Sequence, residues 1–160
     1  MPLYSPGQIR AAFGLQAVKL HAWHNTYGLT AGVHQPNGHR RYSLADAAMV
    51  GIVANMEGEL GFMQHRPAVA LANAVRDHAI AVLAQYAGAG ADMLVKMGED
   101  RPGVVCTRRN NAWAIQSYAN DREQGEALAR AGGFSFIVID FMSLFQTAAV
   151  ALSRPGAANV

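Results

Sequence analysis

The chain has 160 residues, 51% of them hydrophobic and 15% charged, a balance that excludes a disordered polymer and points to an alanine-rich, mainly helical protein of one or two small domains. A formal net charge of +2 is too small to name a nucleic-acid partner by itself. The single cysteine, Cys106, excludes an internal disulfide and suits a reducing cytoplasm, which is the expected location.

Ser5-Pro6-Gly7-Gln8 reads as a helix start, with serine as cap, proline at the first helical position and glutamine completing a capping box. Ile9, Ala12 and Phe13 give that helix an apolar face, and Gly14 turns the chain. A second short helix buries Leu15, Leu20, Trp23 and Tyr27 and leaves Gln16, Val18, Lys19, His21 and His24 facing outward. Two short helices across a tight turn form the helix-turn-helix pattern, whose second helix enters a major groove. Gly28 and Gly32 end the helix, and His34 to Tyr42 contains Asn37-Gly38, the signal of a tight hairpin that would serve as a wing. Ser43 with Asp46 starts a third helix with Ala47, Val50 and Ala54 on its apolar stripe, before Gly58 and Gly61.

From Pro67 to Tyr86, Ala72, Val75, Ala79, Val82 and Tyr86 recur at helical spacing, widened by Val69, Leu71, Ile80 and Leu83. Gly88 and Gly90 end this amphipathic helix, and the stretch to Gly103, with a short helix around Asp92 to Met97, reads as a connection. Val104 to Thr107 and Trp113 to Tyr118 read as strands joined by the polar loop Arg108-Arg109-Asn110-Asn111. A helix from Asp121 to Ala131, a strand from Phe134 to Ile139 and a helix from Phe141 to Ser153 capped by Asp140 complete a small α+β unit. Phe134 to Ser153 approaches membrane-spanning length, but Asp140, Ser143, Gln146 and Thr147 mark it as core. No signal peptide is expected, because Met1 to Arg10 holds no apolar run.

The order Tyr4-Ser5, Phe13-Gly14-Leu15, Leu20, Trp23, Tyr27-Gly28-Leu29, Asn37-Gly38-His39-Arg40-Arg41-Tyr42-Ser43 and Asp46 resembles the DNA-binding domain of MerR-type transcriptional regulators. Glu59-Leu60-Gly61-Phe62 is similar to that family's turn after its third helix. The resemblance implies a cytoplasmic transcriptional regulator that reads a pseudo-palindromic double-stranded DNA site as a homodimer. The helix after the reader would pair the subunits, and RNA polymerase or a small-molecule effector would be further partners. The architecture expected is mainly α with small β elements: a MerR-like winged helix-turn-helix in residues 1–62, an amphipathic dimerisation and linker region in 63–100, and a small α+β unit in 101–154 that senses an effector or oligomerises. An excisionase-like recombination or phage DNA-packaging factor would keep the same reader, and a protein-interaction module without DNA binding is a third reading.

Charge placement fits a basic reader, since Arg10, Lys19, Arg40 and Arg41 precede Asn55 with Asp46 as the one acid, and four of the six histidines lie there too. Gln16, Val18, Lys19, His21, His24, His39, Arg40, Arg41 and Tyr42 are the expected DNA-contacting residues, with Arg40 and Lys19 on one surface and Arg40, Arg41 and Lys19 on phosphates. Histidines facing DNA imply binding that weakens as pH rises. His21 and His24 lie one helical turn apart, a metal-ligand spacing, yet further ligands would have to come from elsewhere, so neither metal nor cofactor is expected. The chain has no glycine-rich phosphate loop or paired-carboxylate motif, and Cys106 has no histidine near it in sequence, so no enzyme is expected. Nor is a membrane partner.

Overall fold

In the computed structural model, which describes residues 2–36, 38–57, 64–132 and 136–154, helix α1 (Pro6–Phe13) starts on the reciprocal Ser5/Gln8 box. Ser5 Oγ accepts from the Gln8 N–H at 3.2 Å, and Gln8 Oε1 accepts from the Ser5 N–H at 2.8 Å. Gly14, at φ 64, closes that helix in the left-handed conformation. Helix α2 (Ala17–Asn25) follows at once and buries Leu20 and Trp23. Strands β1 (Val33–His34) and β2 (Arg40–Arg41) form a short antiparallel hairpin in register Val33 with Arg41 and His34 with Arg40. A bridge between Tyr4 and Tyr42 ties the hairpin base to the start of the chain.

Helix α3 (Leu44–Glu57) begins on a second reciprocal box: the Asp46 N–H donates to Ser43 Oγ at 3.2 Å, and the Ser43 N–H donates to Asp46 Oδ2 at 3.0 Å. Every residue from Ala45 to Val53 is buried, so α3 is the axis on which the first unit is built. Helix α4 (His65–Tyr86) buries Ala68, Val69, Leu71, Ala72 and Val75 completely.

By its contacts the chain divides into two compact units, residues 1–76 with 147–160, and residues 77–146. The second unit begins in α4 and continues through a 3-10 turn (Ala87–Asp92) and helix α5 (Met93–Asp100) into a three-stranded antiparallel sheet of order β4-β3-β5. Strand β3 (Gly103–Arg109) is central, between β4 (Ala112–Tyr118) and β5 (Phe136–Asp140). A Cβ at Gly103 would collide with the Tyr118 ring and the Ile139 carbonyl, which is why a glycine opens the central strand. Helix α6 (Asp121–Ala131), capped by Asn120, packs Ala127, Leu128 and Ala131 on Val105 and Tyr118. Helix α7 (Phe141–Ser153) starts where the Asp140 carboxylate accepts the Ser143 N–H at 2.8 Å.

The architecture is thus mainly helical with small antiparallel β elements, and three features differ from the sequence reading. The short helix expected around Asp92 to Met97 is α5, which follows a 3-10 turn kinked at Gly90, runs on to Asp100 and buries Met97 completely. The loop Arg108-Arg109-Asn110-Asn111 contracts to Asn110-Asn111, because both asparagines take positive φ and the ladder runs on to Arg109 opposite Ala112. Most of the stripe on α4 expected to pair subunits is buried within the chain, with Val69, Leu71, Ala72, Val75 and Ala79 at 0% exposure and Leu83 and Tyr86 nearly so, while Ile80 is 39% exposed and Val82 half-buried. Asn37, Gly133, Phe134 and Glu59-Leu60-Gly61-Phe62, which carried parts of the hairpin, last-strand and third-turn readings, lie outside the described residues. Among the described residues no helix is long and apolar enough to cross a membrane.

Candidate functional site

A groove opens in the first unit between the outer face of α2 and the β1–β2 hairpin. Ala17, Leu20, His21, His24 and Asn25 form one wall, His34, Gly38, His39, Arg40 and Tyr42 the other, and Pro6 and Arg10 of α1 close one end. Its lining holds two arginines and four histidines and, among the described residues, no carboxylate. Such a surface attracts an anion.

The hairpin wall is braced from beneath. Arg40 Nη1 donates to the Ala31 carbonyl at 3.0 Å, and Arg40 Nη2 lies 2.8 Å from His34 Nε2, which must accept. Gly32, at φ 80, leaves the gap that Arg40 and Tyr42 occupy, since a Cβ there would stand 3.0 Å from both side chains. Tyr42 is 1% exposed, and its hydroxyl lies 2.8 Å from His24 Nε2, while His24 Nδ1 lies 2.8 Å from the Leu29 carbonyl. A carbonyl only accepts, so Nδ1 carries the proton and Nε2 accepts from Tyr42. Burial holds the His24 pKa below its ordinary value, outweighing the Leu29 bond, and Arg40 adds to the lowering. Burial likewise pushes the Tyr42 hydroxyl up to about 12.

Asp46 anchors the hairpin to the helices. Burial raises the pKa of this 3% exposed carboxylate, but the N–H groups of Gly32 and Ser43, the Ser43 hydroxyl and Arg76 outweigh that and hold it below the usual range. Arg76 of α4 reaches it through Nε at 3.0 Å and Nη2 at 2.9 Å. Also from α4, Asn73 accepts from the Thr30 N–H at 2.9 Å and donates to the Gly28 carbonyl at 2.9 Å, pinning the loop from α2 to the hairpin.

The groove joins His21, His39 and Arg40 as the sequence implies, with exposed Val18 at its margin on α2 and Gln16 exposed just before that helix. Four residues depart from the expected set. Lys19 does not share the surface of Arg40: at 100° per residue it lies roughly 160° around α2 from His21. Its Nζ pairs with Glu57 Oε2 at 3.1 Å and sits 5.5 Å over the Trp23 ring. The Glu57 side chain is 4% exposed and also engages His65, so a buried carboxylate at the end of α3 draws the lysine inward. Tyr42 is core, and His24 is engaged at both ring nitrogens, so each supports the groove instead of projecting into it. Arg41, next to Arg40 on the strand, points to the other face of the hairpin, opposite Val33. Arg10, His34 and Asn25, whose amide lies 2.7 Å from His21 Nε2, join the site without having been anticipated.

Among the described residues no cluster of three or more histidines, cysteines or carboxylates could hold a metal. Cys106, in the second unit, is fully buried, and burial pushes its thiol up to about 12, far from a reactive thiolate. Comparison with protein-family models and with curated proteins finds no match to the chain.

The braced hairpin has a pH signature. His24 and Asp46 both have lowered pKa values in the fold, so the unfolded chain binds more protons and stability falls as pH falls. The His24 contribution is complete above about pH 6.5 and lost below it, and that of Asp46 is lost below about 3.8. Melting temperatures should therefore drop between pH 7.5 and 5, and drop less steeply in His24→Gln. An equal slope in the two proteins would contradict the assignment.

Proposed function

We propose that the first unit is a MerR-like winged helix-turn-helix that binds double-stranded DNA, and that the chain is a non-enzymatic, cytoplasmic transcriptional regulator acting as a homodimer on a pseudo-palindromic site. Helix α2 would enter the major groove with Val18, His21 and Asn25 toward the base edges, and the hairpin would act as the wing. The observation that carries this reading is the carboxylate-free lining of the groove, where Arg10, His21, His39 and Arg40 surround a space flanked by exactly the two element types that such a reader uses on DNA. The order of the α1-turn-α2-hairpin-α3 elements supports it as well. Because most of the apolar stripe of α4 is buried within the chain, the homodimer would use its exposed part at Ile80 or a different surface.

Selection of bound fragments from a random duplex library tests the reading. One dyad with half-sites about 10 base pairs apart, or a multiple of that, is the expected product. Clustered, unpaired sites would assign the reader to packaging or recombination, and no enrichment at low salt would overturn it. The double variant His21→Gln/His39→Gln should weaken binding to the selected site, since both side chains line the groove. Lys19→Gln should leave the salt dependence of binding unchanged, since its ammonium is held by Glu57.

A further inference from the structure

Strand β5 stands at one edge of the second unit's sheet, and a single bond fixes which way its backbone groups point: the Phe141 N–H donates to the Pro102 carbonyl at 3.0 Å. Hydrogen-bonded pairs alternate along an antiparallel ladder, so Ile139 and Ile137 turn their N–H and C=O groups toward Val104 and Cys106 of β3. Those of Phe136, Val138 and Asp140 point away from the sheet, and among the described residues no backbone partner crosses that edge.

The side chains of this edge are as open as its backbone. Register with β3 puts Phe136 and Val138 on the face of Thr107 and Val105, the face that α6 covers over β3 and β4. Phe136 is 47% and Val138 37% exposed. Edge strands are ordinarily guarded by a lysine, a proline or a charge turned inward. Phe136-Ile137-Val138-Ile139-Asp140 has none before its last residue, and the Asp140 carboxylate is engaged by the Ser143 N–H and by Arg101. The other edge differs, since β4 exposes no large apolar side chain and Ser117 there meets His78 of α4 at 2.7 Å.

We propose that the β5 edge pairs with the β5 edge of a second copy of this chain about a two-fold axis. Each outward residue offers one donor and one acceptor, so an antiparallel edge is its own complement, and the two-fold closes the pairing at two copies. With the axis at Ile137, Phe136 of each copy faces Val138 of the other. Both residues have outward backbone groups, so these pairs exchange hydrogen bonds while an aromatic meets a β-branched side chain, a favourable cross-strand combination. An axis at Val138 would instead set each Phe136 against an Asp140 carboxylate. A foreign peptide could meet the backbone equally well, but a second copy brings the matching Phe-Val order with it. The inference rests on the homodimer of the preceding reading and requires no DNA.

Sedimentation equilibrium of the full chain over a dilution series tests the pairing. Wild type should approach twice the 17.1 kDa of the chain as concentration rises. Val138→Lys, at an exposed position, should stay at the single-chain mass with an unchanged circular dichroism spectrum, whereas Ile80→Lys on the exposed part of α4 should leave the dimer intact. Ile137→Cys in a Cys106→Ala background should oxidise to a covalent dimer, because Cα atoms facing each other at a non-hydrogen-bonded site lie about 4.5 Å apart, within disulfide reach. Wild type that is monomeric at every concentration would overturn the pairing, as would a dimer that survives Val138→Lys and dissociates in Ile80→Lys. Should Val138→Lys fail to fold, the absence of a covalent dimer in the cysteine variant would overturn it. Either failure leaves DNA binding by the groove, read separately through Arg10→Glu, untouched.

Discussion

Asp46→Ala is expected to lower the unfolding free energy by about 3–4 kcal/mol, the range for removing one partner of a buried charge pair together with a helix cap. The carboxylate is 3% exposed and accepts from Ser43 at the start of α3, from the Gly32 N–H at the root of the hairpin, and from Arg76 of α4. Its loss leaves the Arg76 guanidinium, itself only 22% exposed, without a counter-charge, and frees the hairpin from two helices. For a chain of this length the melting temperature should fall by roughly 10 °C, measured by calorimetry at pH 7. Ser43→Ala removes only the cap and should cost about 1 kcal/mol. Equal losses from the two substitutions would show that the Asp46–Arg76 pair adds nothing.

Removing charge from the groove should have the largest effect on binding. Arg10 lines the groove from α1 and has no ion-pair partner among the described residues, so Arg10→Glu alters the site without disturbing the braces of the hairpin. At 0.1 M salt, losing one phosphate contact costs roughly ten-fold in affinity, and reversing the charge costs more. Arg40→Gln should add a similar loss, but Arg40 also donates to the Ala31 carbonyl and contacts His34, so its melting temperature should fall as well. The two variants separate a group that meets the ligand from one that also holds the wall in place.

What the sequence announces here is local. Ser5 with Gln8, Ser43 with Asp46, Asn120 with Glu123 and Asp140 with Ser143 each satisfy backbone donors within three residues, so the starts of α1, α3, α6 and α7 are readable from spacing alone. The direction of Lys19 is not, because it depends on Glu57, far along the chain at the end of another helix. His24 repeats the spacing of His21 yet turns inward, since the Leu29 carbonyl and the Tyr42 hydroxyl offer it two partners that only the folded hairpin brings near. Arg10 carries no signal of its own, and it becomes part of the site because the turn at Gly14 sets α1 against the base of the groove. The stretch from Ala87 to Asp100 misleads only in extent, for a related reason: Gly90 absorbs a kink at φ 57, so glycines that read as a linker lead into a helix that runs past Met97 to Asp100.

The most direct measurement is the affinity of the wild-type chain and of Arg10→Glu for the same mixed-sequence duplex over a series of salt concentrations. Wild type should bind at low salt with a steep negative slope, and Arg10→Glu should bind more weakly with a slope shallower by about one. No binding of wild type in dilute buffer, or identical curves for the two proteins, would contradict the groove as a DNA-contacting surface.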